Sequence, residues 1–417
     1  VFDYVLRGSM VKRSAAAALA VAATSLAAWT TLALGRGKFW EAKVDALRDA
    51  LDIALPRDTF SGARIEAIVP ARNEAETIGR AISSLISQTY SGPFTITLVD
   101  DQSDDDTANV ARAAIATSPH AERLSIVRGR ALEAGWTGKL SALNAGIAHV
   151  LATREKPDYW LFTDADIEHH ATNVEELVAK AQGDDRDLVS LMVRLRCESG
   201  WERLLVPAFV YFFAKLYPFA WSNDRARKTA AAAGGCILLR ASALDAIGGL
   251  DAISDRLIDD CALAGAVKAQ GGSLWLEMST RTQSIREYGT LESFWHMVKR
   301  SAFTQLDHSY LATAGATLGM ALLYLAPPVL TIVGTVRRDA KLGIVAGSAW
   351  LVLCTLYRPT LRAYGRPSAE AIALPIAASL YMAMTIDSAL AHARGRGGVW
   401  KGRPSPETTR VTSREPM

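Results

Sequence analysis

Between residues 64 and 195, short apolar runs alternate with helical patterns, and no other feature of this chain narrows its fold as far. The runs fall at residues 65–69, 94–99, 124–127, 159–163 and 188–193. Between them, Ile78, Ile82, Leu85 and Ile86 share one helical face, as do Leu140, Leu143, Ile147, Val150 and Leu151. Strand-length runs separated by helices predict a mostly parallel sheet covered by helices on both faces. Ligands of such sheets bind beyond the carboxyl ends of the strands.

Acids stand at those ends. Asp100 and Asp101 close the second run, and Asp164 and Asp166 follow the fourth in the stretch LFTDADIE. Such a pair is either a solvated turn or a cation site. Two carboxylates can converge where the chain turns, and oxygen-only donors suit Mg²⁺ or Mn²⁺, which draws its other ligands from water and phosphate. The first run enters Pro70-Ala71-Arg72-Asn73-Glu74, a polar loop that opens the same edge. Asp100 or Asp101 can accept from a base or ribose, while Ser103 or Asp104 can simply cap the next helix. Gly138-Lys139 opens a helix, where a lysine is either a diphosphate contact or a surface charge. Asp259-Asp260 follows the glycine pairs Gly234-Gly235 and Gly248-Gly249, and reads as a helix cap or as the home of a general base.

The ends of the chain differ from its middle. Hydrophobic residues make up 50% of the sequence, and the mean hydropathy is +0.11. Residues 14–34 form a 21-residue run without charge, flanked by Lys12, Arg13, Arg36 and Lys38. Its length favours a membrane anchor over a cleaved signal peptide. Residues 201–221 are aromatic and broken by Pro207 and Pro218, so they read as a buried helix or as a segment at the membrane surface. Apolar runs at 311–336, 342–357 and 371–391 predict two or three further spans, with a re-entrant hairpin at Pro327-Pro328 as one variant. Asp387 inside the last run is costly in lipid and should face another helix. The expected organisation is an anchor at 1–36, a catalytic domain at 37–309 with interfacial helices near 201–221 and 291–306, membrane helices at 310–393, and a disordered tail at 394–417. A net charge of +3 without a long basic tract argues against nucleic acid as a partner. Cys197, Cys236, Cys261 and Cys354 form no CxxC pair, which argues against a disulfide framework or a zinc site and fits a reducing compartment.

Taken in order, PARNEAETI, VDDQSDD, GKLSALNAG, FTDADIE, GGCILLRASALDAIGGLD and LIDDCALA resemble the family 2 glycosyltransferases across residues 65–306. The segments WERLLVPAFVYFFAKLYPF and HMVKRSAFTQL bring the chain nearest to the hopanoid-biosynthesis-associated group, and ceramide glucosyltransferases are similar in layout. The resemblance implies an α/β fold of the GT-A (Rossmann-like) type, with membrane helices at both ends of the chain. It implies a nucleoside-diphosphate sugar donor, with a UDP-sugar favoured and a guanosine donor left open, a divalent cofactor (Mg²⁺ or Mn²⁺), and a lipid acceptor. The protein would sit in the inner (cytoplasmic) membrane, multi-pass, with its catalytic domain facing the cytoplasm. Carried over by motif, Asp100 or Asp101 contacts the nucleotide, Pro70, Arg72, Glu74 and Lys139 join the donor-binding set, and Asp164 and Asp166 bind the metal–diphosphate. Asp260 is the base, with Asp259 where the family has Glu. The family's Q/R-x-x-R-W motif is absent as written. Arg300 lacks the following Trp, yet is placed at the diphosphate. That loss favours transfer of one sugar over a processive polysaccharide synthase. A catalytically silent nucleotide-sugar-binding membrane protein is the reading from a different class.

Overall fold

A computed structural model describes residues 2–47, 62–401, 403 and 404. The chain forms two compact units. One, the sheet unit, contains Lys43–Glu198, Phe219–Gly289 and Ala391–Met417. The other, the helical unit, contains Val1–Ala42, Ser199–Pro218 and Thr290–Leu390.

The sheet unit is built on eight strands: β1 (Ile65–Ala71), β2 (Phe94–Asp100), β3 (Leu124–Arg128), β4 (Tyr159–Thr163), β5 (Ile167–Glu168), β6 (Leu188–Arg194), β7 (Cys236–Arg240) and β8 (Leu274–Ser284). They lie in the order β3-β2-β1-β4-β7-β6-β8-β5. β3, β2, β1 and β4 are mutually parallel, β7 runs against both of its neighbours, and β8 is parallel to β6. The sheet is therefore mixed and mostly parallel, as expected. All five apolar runs became strands.

Alternation along each strand divides the core in two. Ile65, Ala67 and Val69 of β1, Ile96 and Leu98 of β2 and Leu161 of β4 pack with Ile78, Ile82, Leu85, Val174 and Leu177 on one face. Ile68, Val99, Trp160 and Phe162 pack with Leu140, Leu143, Ile147 and Leu263 on the other. The helix Gly138–Thr153 lies very close to that second face. A side chain at Gly146 would sit 2.7 Å from Ile68 and 3.0 Å from Val99, so only glycine fits. Glu66 places a carboxylate inside β1, where it accepts from Thr97 at 2.6 Å and Thr95 at 2.5 Å and pairs with Arg154 at 2.9 Å. A buried charge with three partners is tolerated where a bare one is not.

Among the described residues, four helices are long and apolar enough to cross a membrane: Arg13–Gly35, Tyr310–Val336, Ala340–Ala363 and Ser368–Ala393. Leu311, Leu318, Ile332, Val336, Ile344 and Leu351 stand exposed on them, as lipid-facing residues would. Pro327-Pro328 makes no hairpin. A π-helical turn, Ala321–Leu325, precedes the prolines, and the helix continues through Ala326–Val336. Local unwinding of this kind accommodates the missing N–H groups. Asp387 meets the expectation that it faces another helix: it accepts from Trp295 Nε1 at 2.8 Å and pairs with Lys299 at 2.8 Å, both on the helix Leu291–Ser301. The aromatic stretch after Ser199 forms the helix Gly200–Leu216, opened by a capping box between Ser199 and Glu202. It buries Leu205, Val206 and Tyr211, and Tyr211 stacks edge-on against Tyr357. Ser199–Pro218 and Thr290–Leu390 group with the apolar helices, and Phe219–Asn223 with the sheet. Where a disordered tail is expected from Arg394, Val399–Trp400 pairs with Arg403–Pro404 in a short hairpin. Residues 405–417 lie outside the described residues.

Candidate active site

The first two loops at the carboxyl edge brace one another. Ala71 lies beside Asp100 in register. Arg72 Nη1 donates to the carbonyls of Asp101 and Gln102 at 2.6 and 2.9 Å. The Asn73 N–H donates to Ser103 Oγ at 3.0 Å, and Asn73 Oδ1 accepts from the Asp104 N–H at 2.8 Å. Asn73 and Gln102 both adopt positive φ, +51° and +57°, which turns the chain sharply after each strand. Arg72 and Asn73 thus hold the second loop in place. Asp100 Oδ1 accepts from the Ser103 N–H at 3.1 Å, and Asp101 is buried.

Lys139 is the hub of the site. It sits in the first turn of Gly138–Thr153, which Thr137 caps. Its ammonium lies 2.9 Å from Asp164 Oδ1 and 3.1 Å from Asp259 Oδ2. Burial works against its charge, but Asp164 and Asp259, with Asp260 behind them, outweigh burial and hold it protonated. One cation therefore joins the end of β4 to the first turn of the helix Asp259–Ala269. Asp260, next to Asp259, points its oxygens at backbone. Oδ2 accepts from the Gly234 N–H at 2.8 Å and Oδ1 from the Cys261 N–H at 2.7 Å. Burial, then the charge of Asp259, push Asp260 up to about 6 against the pull of Lys139. Pro70, Lys139, Gly234, Asp259 and Asp260 also line a cavity of about 10 Å³, roughly the space of one water.

A second ionic chain crosses the same edge. Asp166 is buried, accepts from Ser284 at 3.0 Å, and pairs with Arg286 Nε at 2.9 Å. Arg286 Nη2 also grips both oxygens of Glu74, at 2.6 and 2.7 Å. Glu74 pairs in turn with Lys401, whose ammonium donates to the Arg72 carbonyl at 2.7 Å and the Asn73 carbonyl at 3.1 Å. Burial raises the pKa of Asp166; Arg286 opposes this, while Asp164 and Glu74 add to it.

The structure thus brings Pro70, Glu74, Lys139, Asp164, Asp166 and Asp260 to one sheet edge, with Arg72, Asp100 and Asp101 beside them. Arg300 lies in the helical unit, in the last turn of Leu291–Ser301. Arg286 and Lys401 join this edge although no motif of the sequence marks them. Arg286 follows β8, which carries no clear alternation, and Lys401 falls in the stretch expected to be disordered. His169, which directly follows the LFTDADIE stretch, is neither exposed nor charged. It is buried between Thr163 Oγ1 and Asn173 Nδ2, each at 2.9 Å, and burial holds its pKa down to about 3.

Among the described residues, no three His, Cys, Asp or Glu side chains cluster as a ready-made metal site. The donor set still fits a hard cation of the Mg²⁺ or Mn²⁺ kind. Glu74, Asp164, Asp166, Asp259 and Asp260 outnumber Lys139, Arg286 and Lys401 by two formal charges. The Asp164 side chain is 36% exposed, open to a ligand that brings its own oxygens.

Residues 66–248 match the family described as Glycosyl transferase family 2. Among curated proteins, a 4,4'-diaponeurosporenoate glycosyltransferase of Staphylococcus aureus is 32% identical over 108 residues. That match takes in 26% of this chain and 25% of the relative, so it spans a quarter of the relative's length. Among solved structures, the mannosyltransferase PcManGT from Pyrobaculum calidifontis, in complex with GDP-Man and Mn²⁺, is similar with a TM-score of 0.51. It is 19% identical, and the alignment covers 89% of this chain and 99% of that one. At that identity the likeness shows the fold, which is of the GT-A kind.

Proposed function

The chain carries a family 2 glycosyltransferase domain at residues 66–248, and from that premise we propose that it moves one sugar from a nucleoside-diphosphate sugar to a membrane lipid, with inversion. The observation that carries this reading is the Lys139 ammonium held between Asp164 and Asp259. It ties the strand end suited to a leaving diphosphate to the helix that bears a candidate base. Lys139, at a helix N-terminus, faces the negative charge that develops on the leaving nucleoside diphosphate. Asp164 and Asp166 would hold a divalent cation, which when bound supplies further charge stabilisation to the diphosphate. The braced loops of Arg72 and Asp100-Asp101 seat the nucleotide. Asp260 takes the proton of the acceptor hydroxyl as that oxygen attacks the anomeric carbon. One base and one in-line displacement invert the centre.

The acceptor we favour is a hopanoid or another polyprenoid lipid. Four apolar helices support a lipid partner, and the resemblance through WERLLVPAFVYFFAKLYPF supports the class. The absence of Trp after Arg300 supports single transfer over chain extension. The test is to incubate the purified protein with UDP- and GDP-sugars and extracted membrane lipids, with and without chelator. We expect one glycolipid from one donor, lost on chelation and restored by Mg²⁺ or Mn²⁺. Polymer as the product would favour the synthase, and no transfer from any donor would favour the silent binder.

We place the sheet unit on the cytoplasmic face of the inner membrane. The chain leaves this unit at Gly289 and returns to it at Ala391, and Lys401 then docks on Glu74. A segment that starts and ends on one side crosses an even number of times. Two of the three apolar helices between Tyr310 and Ala393 therefore cross. Single-cysteine labelling in intact cells should protect residues 62 and 395 alike from a membrane-impermeant reagent. Labelling of only one of the two positions would overturn this topology.

A further inference from the structure

We propose that Arg286 is a donor-binding residue that contacts the diphosphate, the role the sequence resemblance gave to Arg300. The proposal rests on the glycosyltransferase reading of this site and deepens it. Three observations carry it.

Arg286 stands at the carboxyl end of β8. That strand is parallel to β6, and β6 and β4 each run against β7, so all three strands open at the same edge. The guanidinium spans from Asp166, beside the end of β4, to Glu74 in the loop after β1. It therefore lies across the rim where a leaving group held by Asp164 and Asp166 must sit.

Its geometry is fixed by two carboxylates and its donors are not exhausted. Nε serves Asp166 and Nη2 serves Glu74, while Nη1 makes no hydrogen bond among the described residues. The side chain is 31% exposed. A guanidinium anchored by two acids and left with a free N–H edge is pre-organised for a phosphate oxygen, because the ordering cost is met before the ligand arrives.

The charges allow it. With Arg286 counted, the carboxylates of this edge still exceed its cations by two formal charges, and a diphosphate adds more negative charge. Lys139 is already shared between two acids, and a divalent cation on Asp164 and Asp166 brings the edge only to neutrality. Arg286 is the guanidinium in direct contact with that acid pair among the described residues.

The discriminating measurement compares nucleotides that differ by one phosphate. Full-length protein in detergent is titrated by calorimetry with UDP and UMP, and with GDP and GMP, each with Mn²⁺ and again with chelator. Wild type should bind the diphosphate of its own base more tightly than the monophosphate. In Arg286→Gln, affinity for the diphosphate should fall about 10- to 100-fold while the monophosphate is unaffected, and the loss should persist under chelation. Removing the guanidinium leaves Asp166 and Glu74 buried without it, so Arg286→Lys serves as the second variant. It keeps the charge but not the fork, should melt like wild type, and should lose an intermediate share of diphosphate affinity. Equal loss for mono- and diphosphate, or no loss for either in a folded variant, would overturn the proposal. If wild type binds none of the four nucleotides, the donor reading itself fails, which is a separate result.

Discussion

The two acid pairs at this edge use different elements and different partners. Asp164 and Asp166 stand after a strand, and Asp259 and Asp260 open a helix. In each pair one member reaches Lys139: Asp164 in the first and Asp259 in the second. The other members part company. Asp166 is fixed by a guanidinium and a hydroxyl, and Asp260 by two backbone N–H groups. Burial raises the pKa of both, against the Arg286 guanidinium at Asp166 and against the charge of Asp259's partner Lys139 at Asp260. The comparison separates an acid locked in an ion pair from an acid held by backbone N–H groups, where it can serve as a proton acceptor.

The largest effect should come from removing that proton acceptor. Asp260→Asn should lower kcat by about 10³-fold, within the range of a lost general base, while nucleotide-diphosphate affinity stays within a few-fold of wild type. The pH profile sharpens the point. Burial and Asp259 raise the folded-state pKa of Asp260 to about 6, and the base must be ionised to act. The rate constant kcat/KM should therefore hold steady above pH 6 and fall as pH drops through it. Residual activity in Asp260→Asn should lack that limb. A wild-type limb centred near pH 4, or a variant with most of its activity, would return Asp260 to the role of a helix cap.

The same contrast explains what the sequence could disclose. β1, β2 and β4 are apolar runs that lead into polar or acidic loops, and parallel strands followed by helices leave a periodic record. Asp100, Asp101, Asp164, Lys139 and Asp260 were therefore legible together with the edge they share. β7 was not. Its CILLR run is as apolar as β1 and β4, but it follows glycines that read as loop and runs straight into the helix Ala241–Ala246 without a polar loop between. β8 mixes Glu277, Ser279, Thr280 and Arg281 into a long strand because it carries polar contacts, including Asp45 to Thr280. With β8 unseen, its carboxyl end was unseen, and Arg286 had nothing to distinguish it from a loop arginine. Lys401 lies more than 300 residues from Glu74 along the chain, and no local pattern announces such a contact.

The smallest predicted effect probes how closely the second pair is packed. Gly234 gives its N–H to Asp260 and has no side chain toward Lys139. A methyl group there would lie 3.0 Å from the Lys139 ammonium and 3.4 Å from Asp260 Oδ2. The backbone at Gly234 is not in the left-handed region, so alanine is strained by space alone. The Lys139 end is flexible and can yield by a few tenths of an ångström, which shifts it relative to Asp164. Gly234→Ala should cost about tenfold in kcat, short of the roughly 100-fold expected for a displacement of 1 Å, with little change in the melting midpoint. If Lys139 instead serves only to hold the fold together, the midpoint should fall and kcat per folded molecule should not. Loss of activity without loss of stability would show that the ammonium's position, set by both acid pairs at once, is what the reaction depends on.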